Sequence, residues 1–188
     1  MKARHANIMV DLETLGISPG CTILSIGAVV FNPVRSVLFG KNESLTSEFY
    51  CVINRQSCKE AGLFEESKTI AWWDAQSIES KKVLSQADSS ESLNIHEALQ
   101  EFNLFVKKNG GEKAWVWGNG SDFDNAILMA AYRACGLELP WGAYNNRCYR
   151  TLKSISSGPK IIRLGTHHNA LDDAKSQALH AIELLVGD

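Results

Sequence analysis

Three β-like runs within the first 53 residues restrict the folds open to this chain. They are NIMVDL at 7–12, TILSIGAVVF at 22–31 and SEFYCVI at 47–53, and the turn-forming LGISPG separates the first two. Short connections between strands favour antiparallel pairing, because parallel strands need a long crossover. We therefore expect an antiparallel meander, in which the polar segment 32–46 is a long hairpin end or a decorated loop.

From residue 67 the spacing of apolar residues becomes that of helices. Strands that alternate with helices predict a mixed sheet covered by helices, and functional groups in such folds gather where strands end. The predicted elements are one or two short helices at 68–86, an amphipathic helix at 94–110, a short buried strand at 113–120, a helix at 122–136 that ends at Gly136, and a last helix at 169–187.

Length and composition predict one domain, 1–188. The 188 residues are 45% hydrophobic and 21% charged, so the chain is long enough to bury about two-thirds of its unfolded surface. No apolar run approaches the ~18 residues of a membrane span, and the apolar stretch near the N-terminus is too short for a signal peptide. We expect a cytoplasmic protein with no membrane contact.

Cysteine usage and net charge exclude some classes of protein. The five cysteines are scattered and form no C-x-x-C pair, which argues against a zinc knuckle and against a disulfide framework. The net charge of -2 provides no global basic field. A nucleic-acid partner would therefore be held by local basic residues and by metal.

Acidic residues occur at three predicted element boundaries. Asp11 and Glu13 end the first strand, where side chains at i and i+2 share a face and two carboxylates repel unless a cation lies between them. The other two pairs open the helices at 122 and 169, where a single Asp has an ordinary role in capping or in the helix dipole. Those pairs are Asp122 with Asp124 and Asp172 with Asp173.

Together these acids predict a site for hard cations, since carboxylates without matching His or Cys ligands suit Mg²⁺ or Mn²⁺. Two such ions ~4 Å apart can activate a water and stabilise the leaving oxygen in a phosphodiester displacement. The reaction also needs a base. His168 lies five residues before Asp173, in the loop that enters the same helix.

Three motifs resemble those of the DEDD exonucleases in order and spacing. They are VDLETLG at 10–16, SDFDNAIL at 121–128 and HHNALDDAKSQA at 167–178, the last in the H-x-A-x-x-D form of the DEDDh group. That group includes ribonuclease T and the proofreading domain of DNA polymerase III. TIAWWDAQS at 69–77 and LPWGAYNNRCYRTL at 139–152 further resemble a compact subgroup of exonuclease VIII-like phage and prophage proteins and a mycobacterial exoribonuclease.

The resemblance implies a ribonuclease H-like mixed five-stranded sheet and a 3′–5′ exonuclease. Such an enzyme hydrolyses single-stranded DNA or RNA from the 3′ end to nucleoside 5′-monophosphates, using two Mg²⁺ ions that Mn²⁺ can replace. The motif places its second acid directly after Phe123, and the H-x-A-x-x-D spacing selects His168 as the general base. The implied metal ligands are Asp11, Glu13, Asp124 and Asp173.

The resemblance also implies the contacts to the substrate. Thr14, Leu15 and Gly16 would cradle the 3′-terminal nucleotide, with Leu15 wedged against the last base, and Phe123 would belong to the same binding surface. The wider family carries His-Asn before its second motif, whereas this chain has GNGS at 118–121. A substrate contact at Gly120 is therefore not expected to follow the family pattern.

Two further substrate contacts are predicted outside the three motifs. Trp72 and Trp73 are adjacent on a helix and point about 100° apart, so at least one belongs to the core; we assign the exposed, base-stacking role to Trp73. Arg150 lies in a basic cluster with Arg147 and Lys153, for which a phosphate contact and a solvated helix face are both open.

Two alternative functions remain at this stage. One is a nucleic-acid binding module that keeps the fold but little activity, and the other is an enzyme that trims very short oligonucleotides. The sequence leaves DNA and RNA both open as substrates, because no residue is identified that contacts a 2′-hydroxyl. It also leaves a monomer and a homodimer open, since the apolar stretch ILMAAYRACGLELPW fits either an interface or a core helix with its loop.

Overall fold

A computed structural model describes residues 5–33 and 44–186. It contains a five-stranded sheet in the order β3-β2-β1-β4-β5, in which β2 pairs antiparallel with both β1 and β3, and β4 pairs parallel with both β1 and β5. The predicted meander and mixed sheet are confirmed, while most of the segment predicted as a loop, 34–43, lies outside the described residues. The strands are β1 (Asn7–Thr14), β2 (Ile23–Phe31), β3 (Leu45–Val52), β4 (Trp115–Gly118) and β5 (Asn146–Cys148).

Seven α-helices accompany the sheet in the described parts of the chain, and the segment 68–86 forms two of them. A π-helical turn, Ser121–Asn125, precedes the fifth α-helix, which Gly136 follows with a φ of 65°. The helices are α1 (Arg55–Glu60), α2 (Ser67–Asp74), α3 (Ile78–Ala87), α4 (Ile95–Lys108), α5 (Ala126–Ala134), α6 (Tyr149–Ile155) and α7 (Ala170–Val186).

The two faces of the sheet carry separate apolar cores. On β1, Ile8, Val10 and Leu12 point to the face covered by α4 and α5. Met9 points to the opposite face, where it packs with Ala174 and other small residues of α7. Because side chains alternate along a strand, Asp11 and Glu13 share the face of Met9 and are directed toward α7.

Helix α5 is part of the first core. Its residues Ile127, Leu128, Ala131 and Tyr132 are buried there, as is Trp141 in the following loop. The described structure therefore supports a core role for the stretch ILMAAYRACGLELPW and does not assign it to an interface.

All five cysteines are free thiols. Among the described helices, none combines the length and the apolar character needed to cross a membrane.

Candidate active site

Strand β1 and helix α7 bring three carboxylates together. Asp11 pairs with Gly27 of β2, and a Cβ atom at Gly27 would lie 2.1 Å from the backbone carbon of Ala170. The missing side chain at Gly27 thus lets the first turn of α7 rest directly on the sheet. As a result, one oxygen each of Asp11, Glu13 and Asp173 lie within 4.8 Å of one another.

Asp124 approaches the same site from the π-helical turn after β4. Its side chain is almost completely buried, and Oδ2 has no hydrogen-bond partner. The turn fits against the end of β4 because Gly118 has no side chain. A Cβ atom at this position would lie only 2.9 Å from the Cβ of Asp124. Asp122, two residues earlier, is exposed to solvent.

Burial and mutual repulsion make these acids hard to ionise without a cation. Burial raises the pKa of Asp11 well above its usual value, and the carboxylates of Asp124 and Glu13 raise it further. The pKa of Glu13 is raised to about 8 by burial and then by Asp173 and Asp124. Burial also raises the pKa of Asp124 to about 7.

The donor set fits a divalent metal ion. All four side chains offer carboxylate oxygens, the ligands preferred by hard cations, and the buried Oδ2 of Asp124 lacks any other partner. A positive charge among the acids would also offset the carboxylate repulsion that helps to raise the pKa values of Asp11 and Glu13. Three of the predicted metal ligands, Asp11, Glu13 and Asp173, are therefore close enough to act together, and the fourth, Asp124, is near enough to affect the pKa values of Asp11 and Glu13.

His168 lies against Asp173, as the motif spacing implies. Its backbone adopts a φ of 62°, which is uncommon for a residue other than glycine, and its N–H donates to Oδ2 of Asp173 at 3.0 Å. The imidazole packs edge-on against Trp72, with ring centroids 5.0 Å apart. Burial and the neighbouring His167 lower the pKa of His168, which favours the neutral ring that a general base requires.

Helix α7 begins at Ala170, one residue after the start of the helix predicted at 169–187. Asn169 is the N-terminal capping residue, because its Oδ1 accepts the N–H groups of Leu171 and Asp172. Asp172 itself lies in the first turn and accepts the N–H of Thr166 through Oδ2. This bond ties the preceding loop, which carries His168, to the helix.

An apolar cavity of about 390 Å³ adjoins the acids. Thr14, Gly16 and Phe123 line it, as the family resemblance implies, and the Thr14 hydroxyl donates to the carbonyl of Gly16 at 2.7 Å. Its remaining lining residues are Leu12, Glu13, Ile17, Glu66, Lys68, Thr69, Trp72 and Trp73.

The predicted wedge at Leu15 is not supported by its position. The Leu15 side chain is 1% exposed and packs with Leu24 and Val83 in a third small core. Ile17, two residues later, is 69% exposed and borders the cavity. The turn after β1 therefore exposes Ile17, rather than Leu15, at the cavity.

The assignment of the exposed tryptophan is wrong. Trp73 is 1% exposed, and its indole N–H donates to the carbonyl of Thr14 at 2.9 Å, so it belongs to the third core and fixes the end of β1. Trp72 is 44% exposed and forms a wall of the cavity beside His168. Trp72 is thus the residue available for stacking on a base.

A polar cleft on the other side of the acids contains two residues, Arg163 and Gln177, that sequence reasoning missed as site residues. Lys153 and Arg163 border it, and Gln177 donates to Oδ1 of Asp11 at 2.7 Å. Gln177 lies four residues after Asp173 on α7, a spacing that places both on one helix face and that would have identified it. Arg163 lies in an irregular segment that offers no comparable signal.

Arg150 occupies the space beside Gly120. Its Nη2 donates to the carbonyl of Asn119 at 2.7 Å, and a Cβ at Gly120 would lie 3.0 Å from that nitrogen. Gly120 has a φ of 129°, a conformation that favours glycine. The exposed guanidinium therefore lies beside the GNGS segment, while the phosphate contact predicted for Arg150 stays a prediction.

Comparison with known proteins gives the family. A family model described as the 3′–5′ exoribonuclease Rv2179c-like domain matches residues 6–185. The exodeoxyribonuclease of Enterobacteria phage T4 is 26% identical over 129 residues, which are 68% of this chain and 56% of the phage enzyme. This chain therefore aligns with little more than half of that relative.

Two solved structures share the fold. The nuclease domain of 3′hExo, a DEDDh family member bound to rAMP, has a TM-score of 0.62 at 15% identity, covering 99% of this chain and 94% of that one. Cell-death related nuclease 4 (CRN-4) has a TM-score of 0.60 at 12% identity, covering 97% and 64%. The predicted DEDDh fold and exonuclease family are confirmed: the chain belongs to the Rv2179c-like family of 3′–5′ exoribonuclease domains.

Proposed function

We propose that residues 1–188 form one metal-dependent exonuclease domain that removes nucleoside 5′-monophosphates from the 3′ end of single-stranded DNA or RNA. The observation that carries the proposal is the meeting of Asp11, Glu13 and Asp173 beside His168, at the border between an apolar cavity and a cleft lined by cationic side chains. A nucleoside fits the apolar side, and the phosphate to be cleaved would lie on the polar side.

The four acids would hold the divalent ions, and Mg²⁺ with two ions per site is the expected form, replaceable by Mn²⁺. Such ions, when bound, supply acidification of the attacking water and stabilisation of the charge that develops on the phosphate. His168 accepts a proton from that water through its ring, which its lowered pKa keeps neutral. The N–H of His168 holds Oδ2 of Asp173 in place.

The apolar cavity would receive the last nucleotide of the strand. Thr14 and Gly16 border it directly after Glu13, so a terminal sugar bound there lies next to the acids. Trp72 forms its outer wall and offers a flat surface to the base. Lys153 and Arg163 lie on the other side of the acids, where the phosphate backbone would continue.

Matched 20-nucleotide DNA and RNA strands test this function with Mg²⁺ and with Mn²⁺. We expect stepwise shortening of a 5′-labelled strand with release of 5′-monophosphates, and strong inhibition when a phosphate replaces the 3′-hydroxyl. Equal degradation of strands that end in a 3′-hydroxyl and in a 3′-phosphate contradicts the proposed recognition of a free 3′-hydroxyl. Binding without cleavage identifies a binding module, and cleavage of a dinucleotide in preference to the 20-mer identifies a trimming enzyme.

Replacement of Trp72 by alanine is expected to raise KM for a single-stranded substrate by about tenfold, because stacking of one base contributes about 1–3 kcal/mol. The exposed ring borders the cavity, so the fold should remain intact. Steady-state kinetics on a short labelled strand measures the change. Tyr144→Ala is the matched control, since Tyr144 is almost fully exposed and borders neither cavity; an equal rise in KM in both variants contradicts the role of Trp72.

A further inference from the structure

Arg163 forms an ion pair with one of the proposed metal ligands. Its Nη1 donates to Oδ1 of Asp173 at 2.7 Å, with the Arg163 side chain 52% exposed and that of Asp173 almost buried. The other oxygen of Asp173 accepts the N–H of His168. Both oxygens of Asp173 are therefore engaged by donors of the chain itself.

A divalent ion and Arg163 would compete for Asp173. The carboxylate oxygens of Asp11, Glu13 and Asp173 lie within 4.8 Å of one another, which is the spacing of ligands around one ion. A guanidinium bonded to Asp173 neutralises part of the negative charge that attracts this ion and occupies a lone pair of the oxygen. Arg163 is the one cation that forms an ion pair with these acids in the described structure.

The backbone around Arg163 is held on both sides, whereas its side chain reaches into the cleft. The N–H of Leu164 donates to Oγ of Ser176 at 2.8 Å, and the carbonyl of Pro159 is hydrogen-bonded to the ring of the buried His180 at 2.7 Å. These bonds fasten the irregular segment before α7 to that helix. A change in the partner of Arg163 therefore requires rotation of its long side chain alone, without movement of the segment.

We propose that Arg163 is a built-in competitor for the metal and a clamp for the substrate phosphate. In the metal-free protein it balances Asp173 and lowers the affinity for divalent ions. When metal binds, the guanidinium is released into the cleft that it shares with Lys153, where it donates to a phosphate oxygen. Metal and nucleotide binding are thereby coupled; this inference rests on the proposed function.

Titration of the intact protein with MnCl₂ alone, followed by calorimetry or by the electron paramagnetic resonance of free Mn²⁺, tests the first step. We expect Arg163→Gln to lower the Kd for Mn²⁺ by about three- to fivefold, the size of one partly exposed ion pair. A variant that folds poorly would bind Mn²⁺ more weakly, so tighter binding has no trivial structural cause. Arg163→Lys should fall between the wild type and Arg163→Gln.

The second step predicts a change of the opposite sign. At saturating Mn²⁺, Arg163→Gln should bind AMP and dAMP about tenfold more weakly, because one hydrogen bond to a charged phosphate is lost. Arg133→Gln makes the same change of charge at an exposed position at the far end of α5 and should alter neither Kd.

Unchanged or weaker Mn²⁺ binding in Arg163→Gln overturns the inference while the proposed function stands. Tighter Mn²⁺ binding with unchanged nucleotide binding overturns the phosphate clamp. If the wild type binds neither Mn²⁺ nor a nucleoside monophosphate, the proposed function itself fails and takes this inference with it. The three results are distinguishable because the wild-type titrations with Mn²⁺ and with nucleotide test the proposed function before the variant is compared.

Discussion

Replacing His168 by alanine should lower kcat by about 10²- to 10⁴-fold, the contribution of one general base, while the Kd for Mn²⁺ changes little. The imidazole adjoins Asp173, and its pKa is lowered by burial and by His167. The neutral base therefore persists somewhat below the ordinary histidine range, and the wild-type rate should fall only as the pH drops through that lowered pKa. Single-turnover cleavage of a labelled strand between pH 5 and pH 8 measures the loss of rate in the variant and the pH dependence of the wild-type rate.

His167→Ala is the matched control for this variant. The two rings are neighbours, with centroids 3.8 Å apart, but only His168 packs against Trp72. His167→Ala should keep most of the activity at pH 8, with the acidic limb of the pH profile moved to higher pH, because His167 helps to lower the pKa of His168. A large loss of Mn²⁺ affinity in His168→Ala would instead make His168 a metal ligand, since His167, His168 and Asp173 also lie within ligand distance of one another.

Replacing Asp11 by asparagine should lower activity by about 10³-fold or more and, in the metal-free protein, raise stability at pH 8 by about 1–2 kcal/mol. Asparagine keeps the oxygen that accepts from Gln177 but removes a charge that faces Glu13 and Asp124. The variant thus separates the two consequences of the acidic cluster, which are metal binding and destabilisation of the metal-free protein. The negative charge of Asp11 is needed to bind metal, and it is unfavourable when no metal is bound.

The pH dependence of stability has a defined sign. The pKa of Glu13 is about 8 in the folded protein, above its ordinary value of 4.5, so the folded state binds more protons than the unfolded state between these values. The stability of the metal-free protein should therefore fall as the pH rises from about 4.5 to about 8. In Asp11→Asn this fall should be smaller, since the raised pKa of Asp11 no longer contributes to it.

Thermal unfolding in EDTA and in Mn²⁺, at pH 6 and at pH 8, measures these changes. We expect Mn²⁺ to raise the Tm of the wild type more at pH 8 than at pH 6, and to raise that of Asp11→Asn little at either pH. Asp122→Asn is the control, because Asp122 is exposed two residues before Asp124. A stabilisation by Mn²⁺ that is equal in wild type and Asp11→Asn would remove Asp11 from the metal site.

The sheet and the acidic pair were predictable because they follow from local periodicity. Alternation along β1 places Asp11 and Glu13 on one face, and helical spacing predicts α7 with Asp173 near its start. The packing of α7 on that face of the sheet is known only from the structure. The choice of Asp124 over Asp122 needed the resemblance, because a π-helical turn widens the chain there and an α-helical period does not apply.

Other features depend on tertiary packing that no local pattern encodes. Trp72 and Trp73 are adjacent and identical in residue type, so the local sequence does not distinguish them. The packing of α2 against Thr14 decides which of the two is buried. The turn after β1 likewise buries Leu15 and exposes Ile17 for reasons that lie in the third core. Arg163 reaches Asp173 because its segment is fastened to Ser176, a contact between irregular backbone and a helix.

Gly27 shows how a residue without a side chain sets the dimensions of the site. Gly27 contributes no ligand, yet it allows β1 and α7 to approach closely at the acids. A methyl group at this position would clash with the backbone of Ala170 and Leu171. The spacing of the carboxylates, and with it the size of ion that they can share, is therefore determined from the strand next to the one that carries Asp11. The spacing of the proposed metal ligands therefore depends on the absence of a side chain at one position of the neighbouring strand.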